Sequence, residues 1–326
     1  MESRLLQLAG GPGGWKVHLS AAAHAEGGLR QPKAVESFAE ALKGKKIKGK
    51  DAVLATSGHS SAVNLVPLDP HHRSRLQQTL QETALRSIDD AEGVAYRYLP
   101  LASGSGEQSQ REEFLLLSLG QTEIRRCTEA SDLLGLRPVG LENSAFPIAR
   151  ALAASHGESE DPWGFLHIGF ASSLFGIVHQ GEIRFLKPMQ SNGETWLNTI
   201  AACINEEEDQ SQVGSQAVLT MQRQAVGHAV QIMHALRLEA EALAQEIRAC
   251  LRHFSARHKG ARLESVFLTG FGAALPEVET AIGNALAIPT AVAKPFSALG
   301  MDTPPEILAE EHLWCAPLGL ALRGAA

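Results

Sequence analysis

The stretch that decides the fold is FLHIGFASSLFGIVHQGEIRF, residues 165–185. Two apolar runs flank a turn of small residues, Gly169 to Ser173, and a third run begins at Ile183 after the tight turn Gln180-Gly181. Short apolar runs bounded by glycine predict β-strands, and a two-residue turn joins antiparallel neighbours. The stretch therefore predicts three successive strands, with the small-residue turn between the first and the second.

A similar unit lies near the N-terminus. Apolar runs at residues 3–9 and 15–21 flank the turn Gly10-Gly11-Pro12-Gly13-Gly14, which predicts a hairpin. Each unit is followed by segments of helical periodicity and interrupted by a polar insertion, and the polar stretch His156 to Pro162 separates the two halves. We therefore expect a duplicated α/β architecture in two lobes.

A second informative stretch is VFLTGFGAALPEVETAIGNALAIPTAVAKPF, residues 266–296. An apolar strand runs into the glycine turn Gly270 to Ala274 and then into a helix from Glu277 to Leu286. A strand, a glycine turn and a helix in this order allow the backbone to approach a ligand closely. A turn of this kind also serves plain packing, so both interpretations stay open.

Composition and motifs exclude several classes of protein. The 326 residues carry a net charge of -7 with 44% hydrophobic residues, and the one dense lysine run, Lys43 to Lys50, is local. Nucleic acid is therefore not an expected partner. The four cysteines stand far apart, the histidines lack a completing ligand set, and no apolar stretch is long enough to span a bilayer. No Walker-type, GxGxxG or GxSxG motif is present, so we expect no catalytic residue of those classes and no metal site.

The order of these segments resembles the type IV pilus assembly protein PilM family, FtsA-like members of the actin-like ATPase superfamily. The stretches DAVLATSGHSSAVNLVPLD, LLLSLGQTEIRRCTEASDLLGLRPVGLENSAFPIARAL and HLWCAPLGLALRG are similar to further parts of that family. The resemblance implies an α/β, actin-like (ribonuclease H-like) two-lobe fold. Residues 1–155 would form the first lobe, with an inserted peptide-binding subdomain at about 57–120. Residues 163–326 would form the second, with an inserted helical subdomain at about 200–260.

The resemblance also implies a degenerate nucleotide site that would take ATP or ADP with Mg²⁺. The family's aspartate, which engages the metal, is replaced by His167, and the bulky Phe170 follows. A neutral imidazole is a poor ligand for Mg²⁺, which prefers oxygen. Phe271 stands where the family has a glycine. The cofactor-binding positions implied by the resemblance are Gly169, Ala171, Ser172, Ser173, Glu246, Gly270, Gly272 and Ala273, and no catalytic residue or metal ligand is expected among them.

The first phosphate loop is a separate question. Family members begin with a strand and a loop of the form hydrophobic-Asp-hydrophobic-Gly-x-x before the strand that RLLQLA resembles, whereas this sequence opens at Met1-Glu2-Ser3. The first strand of lobe one is therefore expected to be missing. Either the start is misplaced or trimmed, or the strand is lost, and the sequence leaves both open.

The implied function is that of a non-enzymatic adaptor of type IV pilus assembly with weak or lost ATP binding. It would be cytoplasmic, held at the inner membrane by the cytoplasmic tail of a PilN-like membrane protein and contacting other pilus assembly components. Two alternatives remain: an active actin-like ATPase or superfamily kinase whose first phosphate loop lies upstream of Met1, and a cytoplasmic component of type II secretion.

Overall fold

A computed structural model describes residues 2–11, 14–24, 32–56, 61–101, 112–157, 159–204, 229–258 and 260–324. In chain order the strands are β1 Glu2–Ala9, β2 Lys16–His24, β3 Asp51–Thr56, β4 Ser61–Leu68, β5 Val94–Leu101, β6 Glu112–Gly120, β7 Arg137–Asn143, β8 Trp163–Ile168, β9 Ser173–His179, β10 Glu182–Met189, β11 Val266–Thr269 and β12 Thr290–Val292. The α-helices are α1 Pro32–Leu42, α2 Leu76–Ser87, α3 Gln121–Leu133, α4 Ala145–His156, α5 Gly193–Ile204, α6 Ala229–Arg257, α7 Val278–Leu286, α8 Pro295–Ala298, α9 Pro305–Leu308 and α10 Cys315–Ala321.

The second lobe is built on a five-stranded sheet in the order β10-β9-β8-β11-β12. The three strands predicted from residues 165–185 form its antiparallel part, while β11 runs parallel to both β8 and β12. One face packs against α5, α6 and α7 around the fully buried Trp196, and the other packs against α4 around Phe165. Because both faces are covered, β8 and β9 are apolar almost throughout.

The first lobe repeats this order with one strand fewer among the described residues. The hairpin β1-β2 corresponds to β9-β10, and the parallel pair β3-β7 corresponds to β11-β12, but the two pairs form separate sheets. No described strand of the first lobe takes the position that β8 occupies in the second. The side chains of β9 are buried from Ser173 to Val178, whereas those of β1 from Ser3 to Ala9 are only half-buried.

The subdomain that follows β3 is a three-stranded antiparallel sheet in the order β4-β6-β5. Alternate residues of its strands point to opposite faces. One face covers α2 and forms a small core that includes Leu80, Phe114 and Leu116. On the other face Leu115 packs against Leu174, Val178 and Leu186 of the second lobe. The subdomain therefore rests on the second lobe through one side of its sheet.

Two helices join the lobes. Helix α4 packs against the second-lobe sheet, and α10, near the end of the chain, packs against α4 and lies over β1 and β3 of the first lobe. A partly exposed ion-pair network reinforces this junction: Glu142 binds Arg150 and Arg323, each at 3.0 Å. Although residues 163–326 were predicted to belong to the second lobe, the structure places α10 against first-lobe strands. The lobe boundaries themselves stay predictions.

Several predicted elements need adjustment. The apolar run Leu263 to Thr269 predicts a strand, but the observed strand is shorter and begins at Val266. Helical periodicity predicts a helix up to Phe254, and the observed helix continues to Arg257. Residues 205–228, part of the helical subdomain predicted at about 200–260, lie outside the described residues, as does most of the Gly/Ser-rich stretch between Leu101 and Glu113, which predicts a surface hairpin loop. Within the described ranges, no helix is long and apolar enough to cross a bilayer.

Candidate functional site

Two glycine turns meet at one end of the second-lobe sheet. The first, Gly169 to Ser172, follows β8, and the second, Gly270 to Ala274, follows β11. Because β8 and β11 are parallel neighbours, with His167 opposite Thr269, their carboxyl ends lie side by side. The fold therefore brings together the two stretches that the sequence singled out, and we call this place the cradle.

The ring of His167 fills the space between the two turns. Its Nδ1 lies 3.0 Å from Thr269 Oγ1. A methyl group added at Gly169 would come within 2.8 Å of His167 Nε2, and one added at Gly270 would come within 2.8 Å of Nδ1. Gly270 also has a φ of +82°, a conformation that favours glycine. Both glycines are therefore required here by the imidazole and the turn geometry, with no ligand involved.

Burial determines the charge of this histidine. The ring is surrounded by protein atoms, and this lowers the pKa of His167 from its ordinary 6.5 to about 4, because the charged imidazolium loses its hydration. The ring is therefore neutral at pH 7. A neutral imidazole cannot replace a carboxylate in binding Mg²⁺, which takes oxygen ligands. Across the described part of the chain, no cluster of three or more His, Cys, Asp or Glu side chains could hold a metal ion.

Aromatic rings cover the same turns. Phe170 and Phe271, one from each turn, contact edge to face with centroids 6.4 Å apart. A methyl group at Gly193, the first residue of α5, would meet the Phe271 ring at 2.8 Å, so the helix start is pressed against this pair. Edge-to-face pairs of this kind stabilise packed interiors. The pair therefore adds apolar bulk where phosphate oxygens would need polar donors.

The N-terminus of α5 binds the first turn. Gly193 N donates to Gly169 O and Glu194 N donates to Phe170 O, both at 2.8 Å, while Asn192 Nδ2 donates to Ala171 O at 3.4 Å. The first N–H groups of a helix have no partner within the helix and commonly bind anions. Two of those donors are already used by the backbone of the turn, so they are not available to a phosphate.

The remaining positions of the cradle are polar only in part. Gly272 and Ala273 are buried, and a methyl group at Gly272 would lie 2.3 Å from Ile168 Cγ2. Ser172 is half-buried, and Ser173 is 2% exposed with a hydroxyl that has no hydrogen-bond partner within the described ranges. The cradle thus keeps one hydroxyl without a partner, that of Ser173. The close approach of Gly272 to Ile168 is a packing contact between the second turn and β8.

Glu246 pairs with strand β10. Its carboxylate contacts Lys187 Nζ at 3.2 Å and accepts a hydrogen bond from Gln190 N at 3.2 Å, on and just after that edge strand. In the sheet, β10 stands three strands away from β11 and its glycine turn, but its last residue, Met189, pairs with Ser173 of the cradle. The structure therefore brings Gly169, Gly270 and their neighbours together and places Glu246 beside the end of β10 next to Ser173.

Two contributors to the cradle were not singled out in the sequence. Thr269 holds the imidazole, and no local signal marks it because its partner is 102 residues away. Asn192 caps α5: its Oδ1 accepts from Thr195 N at 3.0 Å, and Thr195 Oγ1 donates to Asn192 O at 2.7 Å. An Asn followed three residues later by Thr at the start of an apolar helix is a recognisable capping pattern, so this residue could have been found.

A shallow polar groove of about 460 Å³ lies between α6 and α7. Its lining includes Arg237, Glu241, Arg248 and Glu277, so charges of both signs alternate along it. Arg237 and Glu241 pair with each other at 2.9 Å, and Arg248 donates to Ala285 O at 2.7 Å. These side chains pair with one another and with the helix backbone. The groove is therefore a packing surface between two helices.

The inserted subdomain carries a different kind of surface. Leu65, Leu115 and Leu99 occupy paired positions across β4, β6 and β5 and so share one face, and Leu117 follows Leu115 on that face. Leu115 is fully buried against the second lobe, Leu65 and Leu117 are half-buried, and Leu99 is 43% exposed. We call Leu65, Leu99 and Leu117 the apolar strip. It borders the junction between the subdomain and the second lobe.

An ion pair crosses the same junction. Glu113, on the face of the apolar strip, contacts Arg257 Nη1 at the end of α6 at 3.0 Å. The side chains are 13% and 32% exposed, so the pair is partly shielded from water. The ion pair ties the subdomain to the last turn of α6, and Leu115 ties it to the second-lobe sheet.

Comparison with known proteins identifies the family. The family model described as "Type IV pilus assembly protein PilM" matches residues 110–325. The fold is similar to that of a chain of the solved "PilM-PilN type IV pilus biogenesis complex", with 20% sequence identity and a TM-score of 0.77. The match covers 100% of this chain and 96% of that chain. Weaker likenesses are to the ethanolamine utilization protein EutJ from Carboxydothermus hydrogenoformans (18% identity, 61% of each chain, TM-score 0.41) and to MreB 5 of Spiroplasma citri bound to AMPPNP (13% identity, 62% of this chain and 63% of that one, TM-score 0.43).

A search of curated protein sequences finds no significant match. The family model covers well over half of the chain, and the likeness to the solved pilus protein extends over its whole length. The chain therefore belongs to the type IV pilus assembly protein PilM family and has its actin-like fold.

Proposed function

We propose that this protein is a non-enzymatic adaptor of type IV pilus assembly, which binds the cytoplasmic tail of a PilN-like membrane protein on its inserted subdomain. The solved structure that resembles it is titled as a complex of PilM with PilN. The observation that carries the proposal is the apolar strip, where Leu99 is 43% exposed beside the fully buried Leu115. Leucines that share a sheet face in this way suit the apolar side chains of an extended peptide.

The state of the cradle supports the non-enzymatic part of the proposal. The imidazole of His167 occupies the space between the two turns, Phe170 and Phe271 cover it, and α5 donates to the turn where phosphate would accept. These residues fit Mg·ATP poorly, since a neutral imidazole stands where the metal would need an oxygen ligand, and two N–H groups at the start of α5 already bind the turn. Tail binding is therefore expected to be independent of nucleotide. Through this partner the adaptor would be held at the inner membrane.

A calorimetric titration tests the proposal. The ligand is a peptide with the cytoplasmic tail sequence of a PilN-like membrane protein from the same organism, titrated with and without Mg·ATP. Leu99→Asp is expected to weaken binding about tenfold or more, because it puts a charge where an apolar side chain docks. Leu133→Asp is the matched control, since Leu133 is a 73% exposed leucine on α3, away from the strip.

Different results would separate the two parts of the proposal. If the peptide bound neither with nor without Mg·ATP, the adaptor role would be contradicted. Equal losses of peptide affinity in Leu99→Asp and Leu133→Asp would contradict it as well. Tight Mg·ATP binding with turnover would instead contradict the non-enzymatic part and favour an active ATPase.

A further inference from the structure

One loop of this acidic protein is strongly basic. The segment KGKKIKGK, residues 43–50, contains five lysines and no carboxylate, whereas the whole chain has a net charge of -7. The loop connects α1 to β3 at the edge of the first lobe. All five lysines are exposed. The cradle and the apolar strip make no use of this charge.

The loop is held in place by its backbone and its one apolar residue. Ile47 packs against Leu19, Phe38 and Leu42. The carboxamide of Gln7 binds both backbone groups of Lys48: Lys48 N donates to its Oε1 at 3.0 Å, and its Nε2 donates to Lys48 O at 2.5 Å. Because these contacts fix the middle of the loop, the flanking side chains extend from a defined surface.

Four of the five lysines keep their charge uncompensated among the described residues. Lys43 pairs with Glu40 at 3.1 Å, whereas Lys45 donates to the neutral carbonyl of Ser20. Asp51, just after the loop, pairs with Arg137 at 2.5 Å and so adds no net charge. Within the described part of the chain, no carboxylate pairs with Lys45, Lys46, Lys48 or Lys50.

We propose that this lysine loop binds the anionic phospholipid headgroups of a bilayer surface. In a cluster of ammonium groups, each lysine raises the affinity for an anionic surface about fivefold. Lipids move laterally and can gather beneath a small patch, whereas a nucleic acid needs a long basic track that a chain of net charge -7 does not offer. The loop also has no aromatic residue on which a base could stack.

The interaction would be purely electrostatic. Ile47 is half-buried in the first lobe and is not free to insert into the bilayer. Exposed charges are screened over about 10 Å at 0.1 M salt, so binding is expected to disappear at about 0.5 M salt. The inference does not depend on the proposed tail binding, because the chain alone is tested against lipid alone.

Vesicle co-sedimentation tests the proposal. The whole chain is mixed at low salt with phosphatidylcholine vesicles that contain about 30% phosphatidylglycerol, or with pure phosphatidylcholine. We expect binding to the anionic vesicles only. The triple variant Lys46→Gln, Lys48→Gln, Lys50→Gln leaves the pairings of Lys43 and Lys45 intact and is expected to lower the partition coefficient about a hundredfold.

Two controls make the result specific. Arg73→Gln, Arg75→Gln and Arg86→Gln together remove the same charge from exposed positions of the inserted subdomain and are expected to change binding less than threefold. Arginine at the three lysine positions should keep binding. Equal losses in the lysine and arginine triple variants, no binding to anionic vesicles, or tighter binding to a single-stranded RNA oligonucleotide than to the vesicles would each overturn the proposal.

Discussion

Nδ1 of His167 lies 3.0 Å from Oγ1 of Thr269, and the two residues are register partners on the parallel strands β8 and β11. The hydrogen bond therefore joins the ends of the two strands whose turns form the cradle. It also places a neutral, buried ring where the resemblance to the actin-like superfamily implies an aspartate.

Stability is expected to fall between pH 7 and pH 5. Burial lowers the pKa of His167 to about 4, and burial together with the charge of Arg4 lowers the pKa of His312 to about 4. With ordinary values near 6.5, both rings take up protons in the unfolded chain first, so acid favours unfolding until the folded pKa is reached. Each histidine is expected to lower the free energy of unfolding by about 2 kcal/mol between pH 7 and pH 5.

Urea denaturation at a series of pH values measures this effect. His167→Gln should remove about half of the loss, and His312→Gln should remove the other half. If neither variant changes the slope of stability against pH, the two rings are not buried in their neutral form.

Gly270→Ala is expected to destabilise the fold more than Gly181→Ala. Both glycines have positive φ, +82° and +74°, so each substitution strains the backbone by about 1 kcal/mol. At Gly270 the new methyl group would also lie 2.7 Å from Ile168 O, whereas at Gly181 no atom lies within 4 Å. We expect Gly270→Ala to lower the free energy of unfolding by about 3 kcal/mol in total. Equal losses at the two sites would contradict the close contact of the cradle turns.

The ion pair between Glu113 and Arg257 is expected to stabilise the junction between the subdomain and the second lobe. A double-mutant cycle with Glu113→Gln and Arg257→Gln should give a coupling free energy of about 1 kcal/mol, because both side chains are partly shielded. The pair Glu82 and Arg86, at 3.8 Å with exposures of 49% and 82%, is the control and should give almost none. The idea fails if the two cycles give the same value.

Hydrogen exchange should be faster in β1 and β3 than in β9 and β11. The strands β1 and β3 belong to separate two-stranded sheets, whereas β9 and β11 both pair with β8. A strand edge without a partner leaves backbone N–H groups open to solvent, and half-buried strands open more easily. Mass spectrometry of deuterated peptides from each strand provides the comparison. Equal protection in both lobes would show that the inner edges of β1 and β3 are covered in solution.

Local pattern was enough for many elements of the fold. The run Asp51 to Thr56 is rich in small and β-branched residues, which predicts a strand, and the observed strand has these bounds. The three strands predicted in residues 165–185 form the antiparallel part of the second-lobe sheet. Such elements depend on the spacing of apolar residues and on the turns that bound them, both of which are properties of neighbouring residues. The order of the elements along the chain likewise indicated the family.

Contacts between distant residues were beyond that kind of reasoning. The resemblance implied a nucleotide-binding role for Glu246, but the sequence could not show that Lys187 would pair with this carboxylate. The sequence showed that α10 is apolar, but it could not predict that this helix would pack against β1 and β3.

The sequence by itself indicated the family and the α/β class, and the resemblance to that family implied that His167 stands in place of a carboxylate. Only the tertiary structure decided what that histidine does. Its ring is held by Thr269, 102 residues away, and it fills the space between Gly169 and Gly270. The physical reason is that burial and hydrogen bonding depend on which strands lie side by side. That pairing is set by the packing of the whole sheet, and no short stretch of sequence contains it.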